Sequence, residues 1–246
     1  MKHIFLVTSA IYGHNGFNGK LTAEQRIQQT LDTADSIRHH IPDAVLVLLE
    51  GGTQRLELSL RQSLLTKYND IIDFTQDPFI AFAHRNLDLS KQEITAIKGP
   101  CESYKLREAC ILLQGMVDPD DRIYKISGRY RLSEEFNVDQ HIAAKGKYLM
   151  LEKTKCLEYY SYPKKITYCE YQYSTRLYSF CGSLLETAAN NYNTINGRIL
   201  SLYEQSEYMD LEHMTYLVYD QNDIVEAKPI GLIGAFAEVP DWVIKE

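Results

Sequence analysis

The stretch DPDDRIYKISGRYRL, residues 118–132, has acidic residues at its start and basic residues at its end. Asp118 and Asp120 form a D-x-D pair, and paired carboxylates hold a divalent cation when their oxygens face a cleft. Ser127 and Arg129 follow the apolar run, and a guanidinium binds phosphate oxygens through a planar, bidentate fork. The stretch therefore offers either a metal site or a metal-free anion site.

The position of the predicted strand RIYKIS, residues 122–127, favours the basic end. In an open α/β sheet, ligands bind beyond the carboxyl ends of the strands. The two carboxylates precede the strand, and Pro119 between them predicts a solvated turn after a helix. Lys125, Ser127 and Arg129 follow one another at every second position, so they share one face of the extended chain.

Arg129 is the candidate for stabilising negative charge, with Lys125 as a neighbouring cation. Tyr130 beside it supplies a flat surface with a polar tip, which suits contact with a ligand. An exposed ion pair between Arg129 and Glu134 or Glu135 is the alternative, and such a pair contributes little to stability.

Other polar residues stand near the ends of predicted elements. Thr8, Ser9 and Tyr12 follow the first apolar run and are candidates for contacting the base or ribose of a nucleotide; a turn satisfied by hydroxyl groups is the alternative. Lys105, on a predicted helix over 101–117, is a candidate ligand contact, with a solvated helix face as the alternative.

The second half of the chain offers candidates for an acceptor site and a base. The segment YMDLEHMTYLVY, residues 208–219, is apolar almost all round, which predicts a largely buried helix. Glu212 and His213 lie inside it, and a buried carboxylate or imidazole is paired, neutralised or used. Glu212 suits a general base and His213 a contact to a leaving phosphate or a metal, whereas a satisfied core position is the alternative for both. Arg176 and Ser179 are weaker candidates for the acceptor side.

The elements that must position these residues follow from hydrophobic periodicity, and they begin β-α-β-α-β. We expect strands over 3–12, 43–52, 70–75, 122–127, 147–153 and 175–180. We expect helices from Thr22, capped by a box with Gln25, to Ile41, then along Leu56 to Leu64, near PFIAFAHRNL, and over 101–117, 184–204 and 207–219. This order predicts an α/β fold with a mixed, mainly parallel central sheet flanked by helices.

The composition predicts a single domain over residues 1–246, with a βα half over 1–135 and a mixed half over 136–246. A net charge of -7 disfavours nucleic acid as a partner. No apolar run approaches the roughly 20 residues needed for a transmembrane segment, so we expect a cytoplasmic protein, with peripheral membrane association left open. The tyrosine-rich segment 159–178 suits sugar stacking or, equally, the interface of a homodimer.

Several common site signatures are missing from the sequence. There is no G-x-G-x-x-G after the first strand, no P-loop and no G-x-S-x-G. The five cysteines form an odd set without a C-x-x-C pair, which indicates neither a disulfide framework nor structural zinc.

A strand ending in KISGRY, after three βα units and the helix sequence GPCESYKLREA, resembles GT-A-fold glycosyltransferases of bacterial and phage surface-glycan clusters. In that family a metal-binding D-x-D ends this strand, and here Ser127-x-Arg129 replaces it. The resemblance implies a GT-A-like nucleotide-diphospho-sugar transferase fold, a nucleotide-sugar donor, a glycan acceptor and a role in polysaccharide biosynthesis. The 1–135 half would then bind the donor and the 136–246 half the acceptor.

The departure from the D-x-D leaves the cofactor open. Mn²⁺ or Mg²⁺ would need oxygen ligands that the expected position lacks, whereas Arg129 would allow transfer without a metal. Two rival functions also stay open: a nucleotidyltransferase, which would need a carboxylate-held Mg²⁺, and a catalytically inactive glycan-binding protein of the same fold.

Overall fold

The computed structural model describes residues 1–13, 21–86, 94–156, 169–205, 207, 209–235 and 243–246. The strands are β1 (His3–Ser9), β2 (Val45–Glu50), β3 (Asp70–Asp73), β4 (Arg122–Ser127), β5 (Tyr130–Leu132), β6 (Tyr148–Leu151), β7 (Thr154–Lys155), β8 (Tyr171–Gln172), β9 (Leu177–Cys181), β10 (Ile224–Ala227), β11 (Leu232–Ala235) and β12 (Val243–Lys245). The helices are α1 (Ala23–His40), α2 (Leu58–Leu64), α3 (Pro78–Asn86), α4 (Ile94–Leu113), α5 (Val138–Ala143), α6 (Leu185–Glu204) and α7 (Leu211–Val218). The tyrosine-rich segment over 159–168 and Tyr208 lie outside the described residues.

The central sheet has the order β10-β6-β9-β4-β1-β2-β3. β1 pairs in parallel with β2 and β4, and β2 pairs in parallel with β3, as the opening β-α-β-α-β pattern predicts. β9 is antiparallel to both of its neighbours, β4 and β6. The predicted α/β fold class, with a mixed and mainly parallel sheet, is confirmed, and both halves of the chain contribute strands to this sheet.

Both faces of the sheet are covered. Leu6 of β1 packs in a hydrophobic cluster with residues of α4, α6 and α7, whereas its neighbours Phe5 and Val7 pack in a second cluster with residues of α1. Alternating side chains of one strand therefore enter two cores, as expected for a sheet with helices on each side.

Two helix ends show how local sequence sets the elements. Thr22 caps α1: its Oγ1 accepts from the backbone N–H of Gln25 at 3.3 Å, and the Gln25 side chain accepts from the backbone N–H of Thr22 at 2.8 Å. The predicted capping box is confirmed. α4 ends four residues earlier than predicted, and Gly115 just beyond it has a φ of +80°, a conformation that closes helices.

Other boundaries differ from the predictions. α4 begins at Ile94 rather than at 101, and Pro100 lies inside it. α7 is shorter than predicted because Asp210 caps it. Its residues Leu211, His213, Met214 and Thr215 are buried, which confirms the prediction of a largely buried helix, although Leu217 is 44% exposed. The sequence GRYRL does not extend β4; β5 pairs instead with β11 in a small sheet that also contains β12. No helix in the described ranges is long and apolar enough to cross a membrane.

Candidate functional site

The site lies at the carboxyl edge of the sheet, between β1 and β4. The chain adds β2 and β3 on one side of β1 and then returns to place β4 on the other side. Neighbouring connections therefore diverge at β1 and β4, which is where open α/β sheets leave a crevice for a ligand. The first residues of β9 reach the same edge because that strand runs in the opposite direction.

Backbone hydrogen bonds hold the ends of these strands together. The N–H of Gly128 donates to the carbonyl of Thr8 at 2.8 Å, and the N–H of Ser127 donates to the carbonyl of Arg176 at 3.0 Å. A Cβ on Gly128 would lie 3.2 Å from the Thr8 carbonyl oxygen, so a glycine suits this close approach. The structure thus brings together the predicted site residues of β1, β4 and the segment before β9.

Lys125 is fixed inside the protein rather than extended toward solvent. Its side chain is 1% exposed and forms an ion pair with Glu102 of α4. Its Nζ also donates to Ser127 Oγ at 2.8 Å and to the carbonyl of Thr175. These three acceptors match the three N–H donors of the ammonium group, so Lys125 orients Ser127 and neutralises Glu102.

Glu102 is the acidic member of this cluster. Its Oε1 also accepts from Thr8 Oγ1 at 3.3 Å. Burial by itself would raise the pKa of the Glu102 carboxyl, but Lys125, with Lys105 and Arg129, holds it below its ordinary value. A carboxylate with a lowered pKa is ionised at neutral pH, so the pair with Lys125 is ionic.

A second buried pair lies beside the first, at the ends of β1 and β2. Glu50 is fully buried and accepts from the Ser9 hydroxyl and from the N–H groups of Ile11 and Gly52 at 3.0 and 2.8 Å. Lys105 Nζ donates to the carbonyl of Ser9 at 2.8 Å. Burial raises the pKa of Glu50 and lowers that of Lys105, and the attraction between the two opposes both shifts. Glu50 and Lys105 both bind backbone groups near the ends of β1 and β2. The polar side chains of Ser9 and Lys105 are therefore occupied by contacts within the protein.

Tyr12 lies just beyond this pair. Its carbonyl accepts from the N–H and the hydroxyl of Thr53 at 2.7 and 3.0 Å, and its side chain is partly exposed. A Cβ on Gly52 would lie 2.6 Å from this carbonyl, which explains the second glycine after β2. Tyr12 therefore lies at the same edge of the sheet, against the segment that follows β2.

Arg129 differs from the two lysines. Its guanidinium carbon lies 5.7 Å from the centre of the Tyr130 ring. Within the described residues its guanidinium has no hydrogen-bond or ion-pair partner, although its charge contributes to the lowered pKa of Glu102. The alternative ion pair with Glu135 is not formed, since Glu135 contacts Lys245 at 3.4 Å. Arg129 therefore presents unused donors beside the crevice.

Glu212 brings a carboxyl group to the other side of the cluster. Thr175 Oγ1 donates to Glu212 Oε1 at 2.8 Å, and the carbonyl of Thr175 accepts from Lys125. Thr175 therefore connects Glu212 to the ion pair of Lys125 and Glu102. Burial, followed by repulsion from Asp210 and Glu102, raises the pKa of the Glu212 carboxyl. A carboxylate with a raised pKa is a stronger base than an exposed one, as a proton acceptor in catalysis requires.

His213 is buried and contacts Asp210 through Nδ1. Burial would lower the pKa of His213, but the hydrogen bond and charge of Asp210 outweigh it and raise this pKa. Asp210 also caps α7 by accepting from the N–H of His213 at 3.0 Å. Asp210 therefore sets both the start of α7 and the orientation of the His213 imidazole.

Ser179 lies apart from these groups. It is fully buried in β9, and its Oγ contacts His141 Nδ1 at 2.6 Å and accepts from Arg122 Nε at 2.9 Å. Burial lowers the pKa of His141 to about 3, so this imidazole is neutral and structural. The structure thus separates Ser179 from Arg176, its partner in the predicted acceptor side.

The acidic start of the opening motif lies at the opposite edge of the sheet. Residues 118–121 form the predicted turn before β4, and Asp118 and Asp120 are exposed. Asp121 is buried, however, and accepts from the N–H groups of Lys2 and Asp118. The predicted solvated turn is therefore confirmed for Asp118 and Asp120, whereas Asp121 at its end is buried and binds two backbone N–H groups.

Four residues of the candidate site were not predicted from the sequence: Glu50, Glu102, Thr175 and Asp210. Three of them had a local signal. Glu50 ends a buried strand, Glu102 stands one turn before Lys105 on α4, and Asp210 precedes a helix at a cap position. Their partners are distant in the sequence, so only the fold shows that they act at one place.

The donor set at this edge does not fit a divalent cation. Across the described ranges, no three His, Cys, Asp or Glu side chains converge in a way that would hold a metal ion. Glu102 at the crevice is already bound by the ammonium of Lys125, which a cation would have to displace.

No protein-family model matches the chain, and no curated protein matches it. The chain is similar to two solved structures, each at 9% identity. One is an active-site mutant of LgtC, aligned over 92% of this chain and 72% of its own, with a TM-score of 0.49. The other is a glycosyltransferase involved in the glycosylation of the major capsid of PBCV-1, aligned over 93% of this chain and 83% of its own, with a TM-score of 0.38. At these values neither alignment assigns a family, a residue role or a substrate to the chain.

Proposed function

We propose that the chain is a GT-A-type glycosyltransferase that transfers a sugar from a nucleotide-activated donor to a glycan acceptor without a metal ion. The donor phosphates would lie at the carboxyl edge between β1 and β4, and the acceptor would approach from the side of α7.

The observation that carries the proposal is Arg129. Its guanidinium has N–H groups without a partner in the described part of the chain and lies at the switch point of an open α/β sheet. The resemblance of the KISGRY segment to GT-A-fold enzymes predicts that the phosphates of the sugar donor bind at this point. When the sugar–phosphate bond breaks, negative charge develops on the leaving oxygen, and a fixed cation stabilises it. A guanidinium is a permanent cation in proteins, which suits this role.

Glu212 supports the second half of the reaction. The acceptor hydroxyl forms the new bond to the anomeric carbon and must lose a proton as the bond to the phosphate oxygen breaks. The Glu212 carboxylate would take that proton, and its raised pKa increases its basicity.

The internal ion pairs support metal-independent transfer. Lys125 and Glu102 occupy the position where a carboxylate-held cation would be needed, and their geometry is set by Ser127 and Thr175. Arg129 would then supply the charge that the metal supplies in relatives with a D-x-D.

The test is a thermal-shift screen of nucleotide diphosphate sugars, in chelator and in Mn²⁺. A ligand that binds only the folded state raises its stability by mass action, by about 2.7 kcal/mol at 100 times its Kd. We expect a donor to raise the Tm equally in both conditions. Arg129→Ala should lose this shift and lower the transfer rate by about 10²- to 10³-fold, while its ligand-free Tm stays near that of the wild type.

Arg131→Ala is the matched control, because Arg131 is the same residue type two positions away and lines a different pocket with His39 and His40. It should keep the full shift. Unchanged transfer in Arg129→Ala would overturn the proposal. An absolute Mn²⁺ or Mg²⁺ requirement would favour the nucleotidyltransferase, and binding of glycans without nucleotides would favour the inactive glycan-binding protein.

A further inference from the structure

A second guanidinium, that of Arg176, lies at the same edge, and a carboxylate occupies it. Arg176 forms an ion pair with Glu246, with side-chain exposures of 23% and 12%. Its Nε donates to the Tyr130 hydroxyl at 3.2 Å, and one terminal nitrogen donates to Ser174 Oγ at 3.2 Å. The other oxygen of Glu246 accepts from Ser174 Oγ at 2.9 Å.

Arg176 and Arg129 both lie near one aromatic ring. Their guanidinium carbons lie 5.9 and 5.7 Å from the centre of the Tyr130 ring, and Tyr130 itself is 1% exposed. The backbone of Arg176 is also joined directly to the site, since its carbonyl accepts from the N–H of Ser127. The two arginines therefore lie close to each other around the buried Tyr130.

The two arginines differ in the contacts of their guanidinium groups. Arg129 has no anionic partner among the described residues, whereas Arg176 has Glu246. A guanidinium binds carboxylate and phosphate through the same fork, so a phosphate can replace the carboxylate without loss of geometry.

The backbone allows this exchange at low cost. The N–H and carbonyl of Glu246 form hydrogen bonds with Leu232 and Gly231 at 2.8 to 2.9 Å, which keep its main chain on β11. The side chain can leave Arg176 by rotating about its own bonds while the small sheet stays intact. No unfolding of β12 is needed.

We propose that Glu246 is a built-in competitor for the anion site: its carboxylate neutralises Arg176 in the ligand-free protein, and a diphosphate displaces it, so that Arg176 joins Arg129 in binding. This inference rests on the proposed function, because it takes the donor phosphates as the displacing anion. It also reassigns Arg176 from the acceptor side to the donor side.

The test is calorimetric titration with inorganic pyrophosphate in chelator, at one fixed salt concentration. Glu246→Gln should bind pyrophosphate about 10-fold more tightly than the wild type, since a carboxylate that leaves about one tenth of the protein competent to bind weakens the apparent affinity by that factor. Glu246→Asp distinguishes the direct contact with Arg176 from a general effect of the negative charge. Its shorter side chain keeps the charge but loses reach, so it should bind nearly as tightly as Glu246→Gln.

Glu135→Gln is the matched control. It removes one negative charge from a residue that pairs with Lys245 of the same small sheet, away from Arg176. It should leave the affinity unchanged within about twofold. The gain from Glu246→Gln should disappear when Arg176→Gln is added, as a double-mutant cycle reveals coupling between two side chains.

The outcomes separate this inference from the proposed function. Suppose that Arg129→Ala abolishes pyrophosphate binding but Glu246→Gln binds no more tightly than the wild type. This result would support the anion site at Arg129 and contradict the proposal that Glu246 competes for it. Equal gains in Glu246→Gln and Glu135→Gln, or a wild-type affinity in Glu246→Asp, would also overturn it. If no variant binds pyrophosphate, both proposals fail. Binding by Glu246→Gln alone would support strong competition.

Discussion

At the scale of single residues, the candidate site is defined by which charges are already matched. Lys125 is matched by Glu102 and Lys105 lies beside Glu50. Within the described part of the chain, Arg129 at this edge has no such carboxylate partner. A buried cation whose N–H groups all donate to internal acceptors has no donor left for a ligand. For this reason the proposed reaction is assigned to Arg129 and not to Lys125.

Glu212 gives a residue-scale prediction on pH. Its pKa is raised, and the carboxyl must lose its proton before it can act as a base, so kcat/KM should rise with pH through that raised pKa. Thr175→Val removes the hydroxyl that donates to the carboxylate. Because this hydrogen bond favours the ionised form, its loss should move the acid limb of the pH–rate profile to higher pH.

Glu212→Gln is the companion variant in this experiment. It should lower kcat by about 10²- to 10⁴-fold and remove the acid limb, since general-base catalysis contributes this much. An unchanged pH–rate profile in both Glu212→Gln and Thr175→Val would show that another group takes the proton.

At the scale of elements, the turn between α4 and β4 explains the acidic half of the opening motif. The carbonyls of Asp118 and Asp121 meet the chain after β9: Gly182 donates to the Asp121 carbonyl at 2.7 Å, and a Cβ on Gly182 would lie 2.1 Å from the Asp118 carbonyl. The turn thus packs against a neighbouring connection at the amino edge of β4. The backbone carbonyls of the turn form this junction, the Asp121 carboxylate accepts from Lys2 and Asp118, and the whole turn lies at the far end of β4 from Arg129.

Asp121 and Asp120 form a matched pair for testing this role. Asp121→Ala removes a buried carboxylate and leaves two partly buried N–H donors without their acceptor, so the free energy of unfolding should fall by about 1 to 2 kcal/mol. Asp120→Ala, at an exposed position, should stay within about 0.5 kcal/mol of the wild type. Urea denaturation measures both. Loss of a metal-dependent activity in either variant, at unchanged stability, would return the metal site to the D-x-D.

At the scale of the whole molecule, the Glu102–Lys125 pair joins three parts of the fold. Glu102 comes from α4, Lys125 from β4, and the Thr175 carbonyl from the segment before β9. Removing one member leaves the other buried and unpaired, whereas replacing both avoids that cost.

This pair gives a prediction for global stability. Lys125→Met should lower the free energy of unfolding by about 3 kcal/mol at pH 7, and adding Glu102→Gln should recover most of the loss. Since the pKa of Glu102 is lowered on folding, its contribution is complete above the unfolded value of 4.5 and is lost as the pH falls below it. Urea unfolding between pH 7 and pH 3 should show this dependence in the wild type and a weaker one in the double variant. Equal stability of Lys125→Met and the wild type at pH 7 would contradict the proposed role.

The sequence alone was enough to predict the first four strands and the capping box of α1, and it placed the candidate anion site after β4 rather than before it. Those features depend on periodicity, caps and turn residues, which are encoded within a few positions. It could not show that Thr175 serves Glu212 across 37 positions, or that Glu246 neutralises Arg176 across 70. The tertiary structure decided these pairings, because the distance between two charges depends on the path of the whole chain. The tertiary structure also determines which cation of the segment 118–132 has a carboxylate partner: the packing of α4 on β4 pairs Lys125 with Glu102 and leaves the Arg129 guanidinium without a carboxylate among the described residues.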